Sequence, residues 1–197
     1  DVLALGPGLG ASGPTGAAIR EIVKRSPAPV VLDADGVNAF AGRSRSTLTR
    51  CRSPVVITPH PGEAARLLRE ETAAIQADRL ASARKIASET GAVAMLKGHR
   101  TITADPQGRA FINATGNPGM ASGGMGDVLT GMIAGLMAQG LEPLEGAILG
   151  AFLHGFAADL AVDEPESQPS LTASAVLDAL APAFRALERD DDEPSDT

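Results

Sequence analysis

Short β-branched and apolar runs alternate, through the first half of the chain, with stretches in which apolar residues recur every three or four positions. "DVLALG" (1–6), "PVVLDAD" (29–35), "PVVITP" (54–59) and "AVAMLKG" (92–98) each predict a strand, and "RTITADPQGRAFINAT" (100–115) predicts a hairpin turning at Pro106-Gln107-Gly108. Helical spacing dominates the second half. In "GDVLTGMIAGLMAQG" (126–140), Val128, Leu129, Met132, Ile133, Leu136 and Met137 fall on one face of a helix. "EGAILGAFLHGFAADLAV" (145–162) and "TASAVLDALAPAFRALE" (172–188) repeat the pattern, and Pro182, which lacks an N–H, predicts a kink or interruption in the last of them.

Nearly continuous apolar strands separated by helices predict an α/β fold with a mainly parallel central sheet covered on both faces. In such sheets ligands bind outside the carboxyl ends of the strands. Those ends carry polar or glycine-rich residues here: "LALG" runs into "GPGLG", "VVLD" into "ADGVN", "VVIT" into "PHPGE" and "AMLK" into "GHRT". Four strands therefore deliver candidate chemistry to one edge.

Composition narrows the function classes. With 197 residues and 44% hydrophobic content the chain has material for one domain with a sizeable core. The expected organisation is a single domain over 1–188 followed by an acidic, disordered tail over 189–197, whose charges repel and which has little to bury. Of the formal net charge of −7, five acids lie in residues 190–197, so the remainder carries only −2. There is no Trp, no Tyr and no basic run, which argues against a nucleic-acid partner. No apolar run reads as reaching the roughly 20 residues of a membrane span, and the N-terminus lacks the marks of a signal peptide. The expected location is cytoplasmic. A single cysteine, Cys51, cannot form an internal disulfide, which is compatible with that location.

Several residues at the shared edge have two readings each. Gly6-Pro7-Gly8-Leu9-Gly10 is either a tight turn after a strand or part of a nucleotide-type loop. His60 is a loop histidine between prolines or a ligand contact, and Glu63 stabilises the first turn of the following helix or serves the site. Asp33 and Asp35 form turns or face the ligand. Lys97 either snorkels to solvent or, from its place before Gly98 at the common edge, contacts phosphate. His154, within an apolar helical face, reads as a packed residue outside the site.

"NATGNPGMASGGMGDVLTG" (113–131) leaves less room for a bland reading. Gly123, Gly124 and Gly126 lead into a helix, so several backbone N–H groups can point at one spot, where the helix dipole adds partial positive charge. That is an anion hole. Asp127, in the same turn, is placed to take a proton from an attacking hydroxyl as a phosphoryl group moves.

"GPGLG", "DADGVN", "TPHPGE", "LKG", "NATGNPGMASGGMGDVLTG" and "LTASAVLDAL", in order from Gly6 to about Leu180, resemble the ADP-dependent NAD(P)H-hydrate dehydratases, a carbohydrate-kinase-like branch of the ribokinase-like fold. The resemblance implies a three-layer α/β/α architecture. It also implies a repair activity: ADP or ATP phosphorylates the hydroxyl of hydrated NADH or NADPH, and phosphate leaves to restore the dihydronicotinamide. Under it, Asp127 is the general base and Gly124 and Gly126 form the anion hole. Gly8, His60 and Asp127 contact the hydrated dinucleotide, with Asp35 and Asn38 beside it. Lys97, Gly98, His99, Arg100 and Thr101 hold the adenine nucleotide together with Asn117, Gly123, Gly124, Met125 and Gly126. Mg²⁺ accompanies the nucleotide, with Glu63 shaping its water network. The resemblance further implies a homo-oligomer, a tetramer, and fusion in some members to an epimerase domain.

The chain begins at Asp1, directly at the first strand, whereas the family carries further strands and helices before it, so N-terminal sheet and part of the substrate pocket are expected to be missing. Two alternatives remain beside the dehydratase. A small-molecule kinase of the same fold would use the same base and anion hole but keep its phosphorylated product, and "HPGE" with the doubled glycine of "GGMGD" is what sets this chain apart from vitamin kinases. A non-catalytic nucleotide-binding module is the other.

Overall fold

The computed structural model describes residues 1–163 and 167–190. Six strands form one sheet in the order of the sequence: β1 (Leu3–Leu5), β2 (Val30–Leu32), β3 (Val55–Ile57), β4 (Val93–Leu96), β5 (Ile102–Ala104) and β6 (Ala110–Ile112). β1 to β4 pair in parallel; β5 and β6 pair antiparallel as the expected hairpin. The helices are α1 (Gly13–Arg25), α2 (Asp35–Asn38), α3 (Pro61–Leu68), α4 (Thr72–Ala77), α5 (Arg79–Thr90), α6 (Met125–Ala138), α7 (Pro143–Asp163), α8 (Ala173–Asp178) and α9 (Leu180–Asp190).

The period-2 alternation of a strand splits each apolar run between two cores. Val30, Leu32, Val55, Ile57, Ala94 and Leu96 pack on one face against α1, α3 and α5. Val31, Val56, Val93 and Met95 face the other way, against Leu129, Ile133 and Met137 of α6 and Ala147 and Ala151 of α7. This explains why β2, β3 and β4 are buried at every position and read as unbroken apolar runs. A third cluster joins α6 and α7 to α8 and α9 through residues such as Met125, Leu153 and Val176.

One helical expectation holds and one changes. The 172–188 pattern is interrupted at Ala179, and Pro182 falls in the first turn of α9, where its missing N–H costs no hydrogen bond. α7 corrects the reading that no apolar run approaches a membrane span: Pro143–Val162 is 20 residues long with a mean hydropathy of 1.3, enough by length and composition. It escapes notice in the sequence because much of it is Ala and Gly rather than Leu and Ile. More than half of it, 56%, is buried inside the protein, where it packs on α6, α9 and the sheet. α9 closes at Asp190, and the rest of the expected acidic tail lies outside the described residues.

Candidate active site

The carboxyl ends of β2, β3 and β4 converge on a buried cluster. Asp33 follows β2, Thr58 follows β3 and Lys97 follows β4. Thr58 donates its hydroxyl hydrogen to Asp33 Oδ1 at 2.8 Å, and Lys97 Nζ forms an ion pair with the same oxygen. The Asp33 side chain is only 3% exposed and that of Lys97 19%. A carboxylate so far from water requires such partners. Asp33, not Asp35, is thus the acid that meets Lys97, and neither Thr58 nor this pairing is announced by the sequence.

The N-terminus of α6 sits directly on this cluster. Gly124 caps the helix in the left-handed region at φ 84°, a conformation that favours glycine. Gly126 answers to a different need. A Cβ there would lie 3.1 Å from Asp33 Oδ2 and 3.3 Å from Lys97 Nζ, so any side chain would press the ion pair out of its place by a few tenths of an ångström. A Cβ at Gly123 would meet open space.

Beside the cluster opens a cavity of about 750 Å³. Its lining includes His60, the whole turn Lys97, Gly98, His99, Arg100 and Thr101, and Asn117, Met125 and Gly126 from the expected nucleotide set. Two features hold these walls. Arg79, the first residue of α5, donates from its guanidinium to the carbonyls of Leu96 (3.1 Å), Lys97 (3.3 Å) and His99, fixing the 97–101 turn. Across the cavity, the segment from Asn113 to Asn117 is tied to α7. Thr115 Oγ1 donates to the Phe152 carbonyl at 2.8 Å, the Gly116 N–H to Asp159 Oδ2 at 2.8 Å, and Asn117 Nδ2 to Asp159 Oδ1 at 3.0 Å. Arg79 and Asp159 carry no motif signal; only the tertiary contacts identify them.

His154 also lines the cavity, although the sequence reading left it out. It is buried on α7, 5% exposed, and burial, with Lys97 adding to it, pushes its imidazole down to about 4. It is neutral at physiological pH.

Other expected residues stand apart from this cavity. Asp127 is exposed in the first turn of α6 and opens onto a second hollow, a groove of about 530 Å³ between α6 and the α8–α9 pair, with Val128, Met132, Leu177 and Phe184 along it. Asp35 Oδ2 accepts the Gly10 N–H at 2.8 Å and Asn38 Oδ1 accepts from Arg66 Nε at 2.9 Å, so both side chains are engaged within the protein. Gly8 is exposed at φ 72°.

His60 and Glu63 build a reciprocal cap on α3. His60 Nδ1 accepts the Gly62 N–H at 3.0 Å, and Glu63 Oε2 accepts the His60 N–H at 2.8 Å. Glu63 Oε1 lies 3.4 Å from His60 Nε2, so its buried carboxylate is used on both oxygens. Among the described residues no group of three or more His, Cys, Asp or Glu side chains is arranged to hold a metal ion.

The chain matches, over residues 1–181, the family model described as NAD(P)H-hydrate dehydratase. The bifunctional NAD(P)H-hydrate repair enzyme of Moorella thermoacetica is 50% identical over 96% of this chain and 36% of its own length. The ADP-dependent (S)-NAD(P)H-hydrate dehydratase of Neisseria meningitidis is 44% identical over 81% of this chain and 53% of its own. The chain thus spans about a third to about half of the length of these curated relatives. Among solved structures, the ADP/ATP-dependent NAD(P)H-hydrate dehydratase of Bacillus subtilis, co-crystallised with ATP and Mg²⁺ and soaked with CoA, has a TM-score of 0.84 at 33% identity, covering 94% of this chain and 66% of that one. Ribokinase from Thermotoga maritima, at 18% identity and a TM-score of 0.55 over 92% of this chain and 57% of that one, shares the fold. With its ribokinase-like α/β architecture and the glycine turn seated on the strand ends, the chain belongs to the NAD(P)H-hydrate dehydratase family.

Proposed function

We propose that the protein repairs hydrated NADH and NADPH, phosphorylating the ring hydroxyl at the expense of ADP or ATP and then expelling phosphate. The observation that carries this reading is the position of the α6 N-terminus between two hollows, with Lys97 on one side and Asp127 on the other. The nucleotide occupies the large cavity, its terminal phosphates over the backbone N–H groups of the turn ending at Gly126 and its charge met by Lys97. Lys97 is pre-placed by Asp33 and Thr58, and its loop by Arg79.

Asp127, on the far side of the glycine turn, accepts the proton of the substrate hydroxyl as its oxygen attacks the terminal phosphorus in line. The C–O bond of the phosphorylated intermediate then breaks. Phosphate leaves with the electron pair, a ring proton departs, and the conjugated dihydronicotinamide is restored. Mg²⁺, held by the nucleotide's phosphates and water, supplies charge neutralisation when bound. The Neisseria relative is named for ADP and the Bacillus structure for both nucleotides, which supports adenine nucleotides as the donor class. Gly8, His60, Asp35 and Asn38 are assigned to the dinucleotide by the family resemblance alone: His60 lines the large cavity, and the other three line neither hollow. Homo-oligomeric assembly is part of the reading too. The edge strand β6 exposes Phe111 and Ile112, 41% and 59%, and light scattering on the purified protein tests it.

The test of function follows the phosphate. Protein, hydrated NADH, Mg²⁺ and ADP or ATP should yield AMP or ADP, inorganic phosphate and restored NADH in equal amounts. Accumulation of a stable phosphoester would identify a kinase instead. Phosphate release with no recovery of dihydronicotinamide absorbance would refute the repair reading.

A further inference from the structure

Among the described residues, His154 lines the cavity with a ring nitrogen, Nε2, that has no hydrogen-bond partner. It sits in the interior of α7, 5% exposed, and its Nε2 is buried without a hydrogen-bond partner. The neighbouring turns of α7 spend their polar groups on the opposite wall: the carbonyls of Ala151, Phe152 and Ala158 all accept side-chain donors from residues 113–117. His154 takes no part in that lacing. A buried polar atom left unpaired costs roughly 1–3 kcal/mol, and Leu or Phe at this place in an apolar helix would avoid the cost. The residue instead lines the same cavity as Lys97 and Gly126.

We propose that His154 is a nucleotide contact: its neutral imidazole donates a hydrogen bond to an oxygen of the ribose-phosphate part of the nucleoside di- or triphosphate in the cavity. This rests on the assignment of that cavity to the nucleotide. A neutral imidazole has one donor and one acceptor, so it can pair with a ligand oxygen without adding charge. Neutrality suits the place. Lys97 already supplies the cation for the phosphates, and an imidazolium beside it would repel it whenever the cavity was empty. Burial and Lys97 together keep the ring in the neutral form.

The protein has three histidines, so selective ¹⁵N-labelling of the imidazoles gives a spectrum in which His154 is assigned by its absence from His154→Phe. Addition of ADP with Mg²⁺ should shift the His154 ring nitrogens at the same concentrations that saturate binding in calorimetry. His154→Phe should bind ADP about tenfold more weakly while its Tm stays level or rises, because an unpaired polar atom has been replaced by an apolar ring. His154→Gln should recover part of the affinity. A purely structural histidine would give the reverse: lower Tm and unchanged affinity. The proposal is overturned if ADP binds wild type and His154→Phe equally, or if the ring resonances stay fixed while ADP binds. Should His154→Phe not fold, assignment through His60→Asn and His99→Asn leaves the wild-type titration to decide. If the wild-type protein binds neither ADP nor ATP, the nucleotide assignment of the cavity fails first, and this contact with it.

Discussion

The cavity on one side of the α6 N-terminus and the groove on the other differ in what they can stabilise. The cavity holds Lys97, the 97–101 turn, Asn117 and His154, with Met125 and Gly126 of the α6 N-terminus in its wall. The groove is walled by Val128, Met132, Leu136, Leu177 and Phe184, and among the described residues that line it Asp127 carries the charge. A polyanion is stabilised in the first and destabilised in the second, next to a carboxylate. Under the proposed mechanism, the proton of the substrate hydroxyl is taken up in the second, by Asp127. Group transfer across the glycine turn needs this division, since a base placed among the phosphate-binding cations would be paired and unavailable. Asp33 illustrates the point: the acid that does lie against Lys97 is consumed by it.

Removing the base should break the comparison most severely. Asp127→Asn keeps shape and hydrogen bonding, and turnover should fall by about two to four orders of magnitude with ADP affinity nearly unchanged. Near-normal turnover would deprive Asp127 of its role. Lys97→Ala acts on the other side. It should weaken ADP binding roughly ten- to a hundredfold, the scale of a lost charge-assisted bond, while sparing the hydrated dinucleotide. It also leaves the buried Asp33 unpaired, so stability should drop by about 3 kcal/mol, measurable in urea. Equal losses for both ligands would show that the two hollows are not separate sites.

The finest test concerns the boundary itself. Gly126→Ala places a methyl group against Asp33 Oδ2 and Lys97 Nζ, and ADP affinity should fall roughly fivefold, about 1 kcal/mol, the lower end of overpacking costs. Gly123→Ala points into open space and should leave affinity within error. If the two variants behave alike in calorimetry, close approach at Gly126 contributes nothing.

Apolar patterning alone was sufficient for the strands, the hairpin at Pro106–Gly108 and the two long helices, because burial on both sheet faces leaves short unbroken apolar runs and a buried helix leaves a longer apolar stretch. The convergence of Lys97 and the glycine turn was legible for a related reason: in a parallel sheet every strand end points to the same edge, so sequence position implies spatial position. Glycine content likewise announced an approach of backbone to something, though not which glycine answered to which need.

Long-range pairing left no such trace. Whether Asp33 or Asp35 would meet Lys97 depended on the pleat and on the strained turn at Ala34, which directs one carboxylate to the lysine and the other to Gly10. Arg79 and Asp159 brace the cavity across sequence separations of about 20 and 40 residues with no local pattern to mark them. His154 looked like a packed helix residue because it is one. That its Nε2 has no partner, and that the same residue lines the cavity, are properties of the neighbours rather than of the segment. Sequence determined the elements and the edge at which they meet, since both follow from local geometry and hydrophobic burial. The separation of the cavity holding Lys97 from the groove holding Asp127 was decided only by tertiary structure, because it depends on which side of one helix turn each neighbour lies.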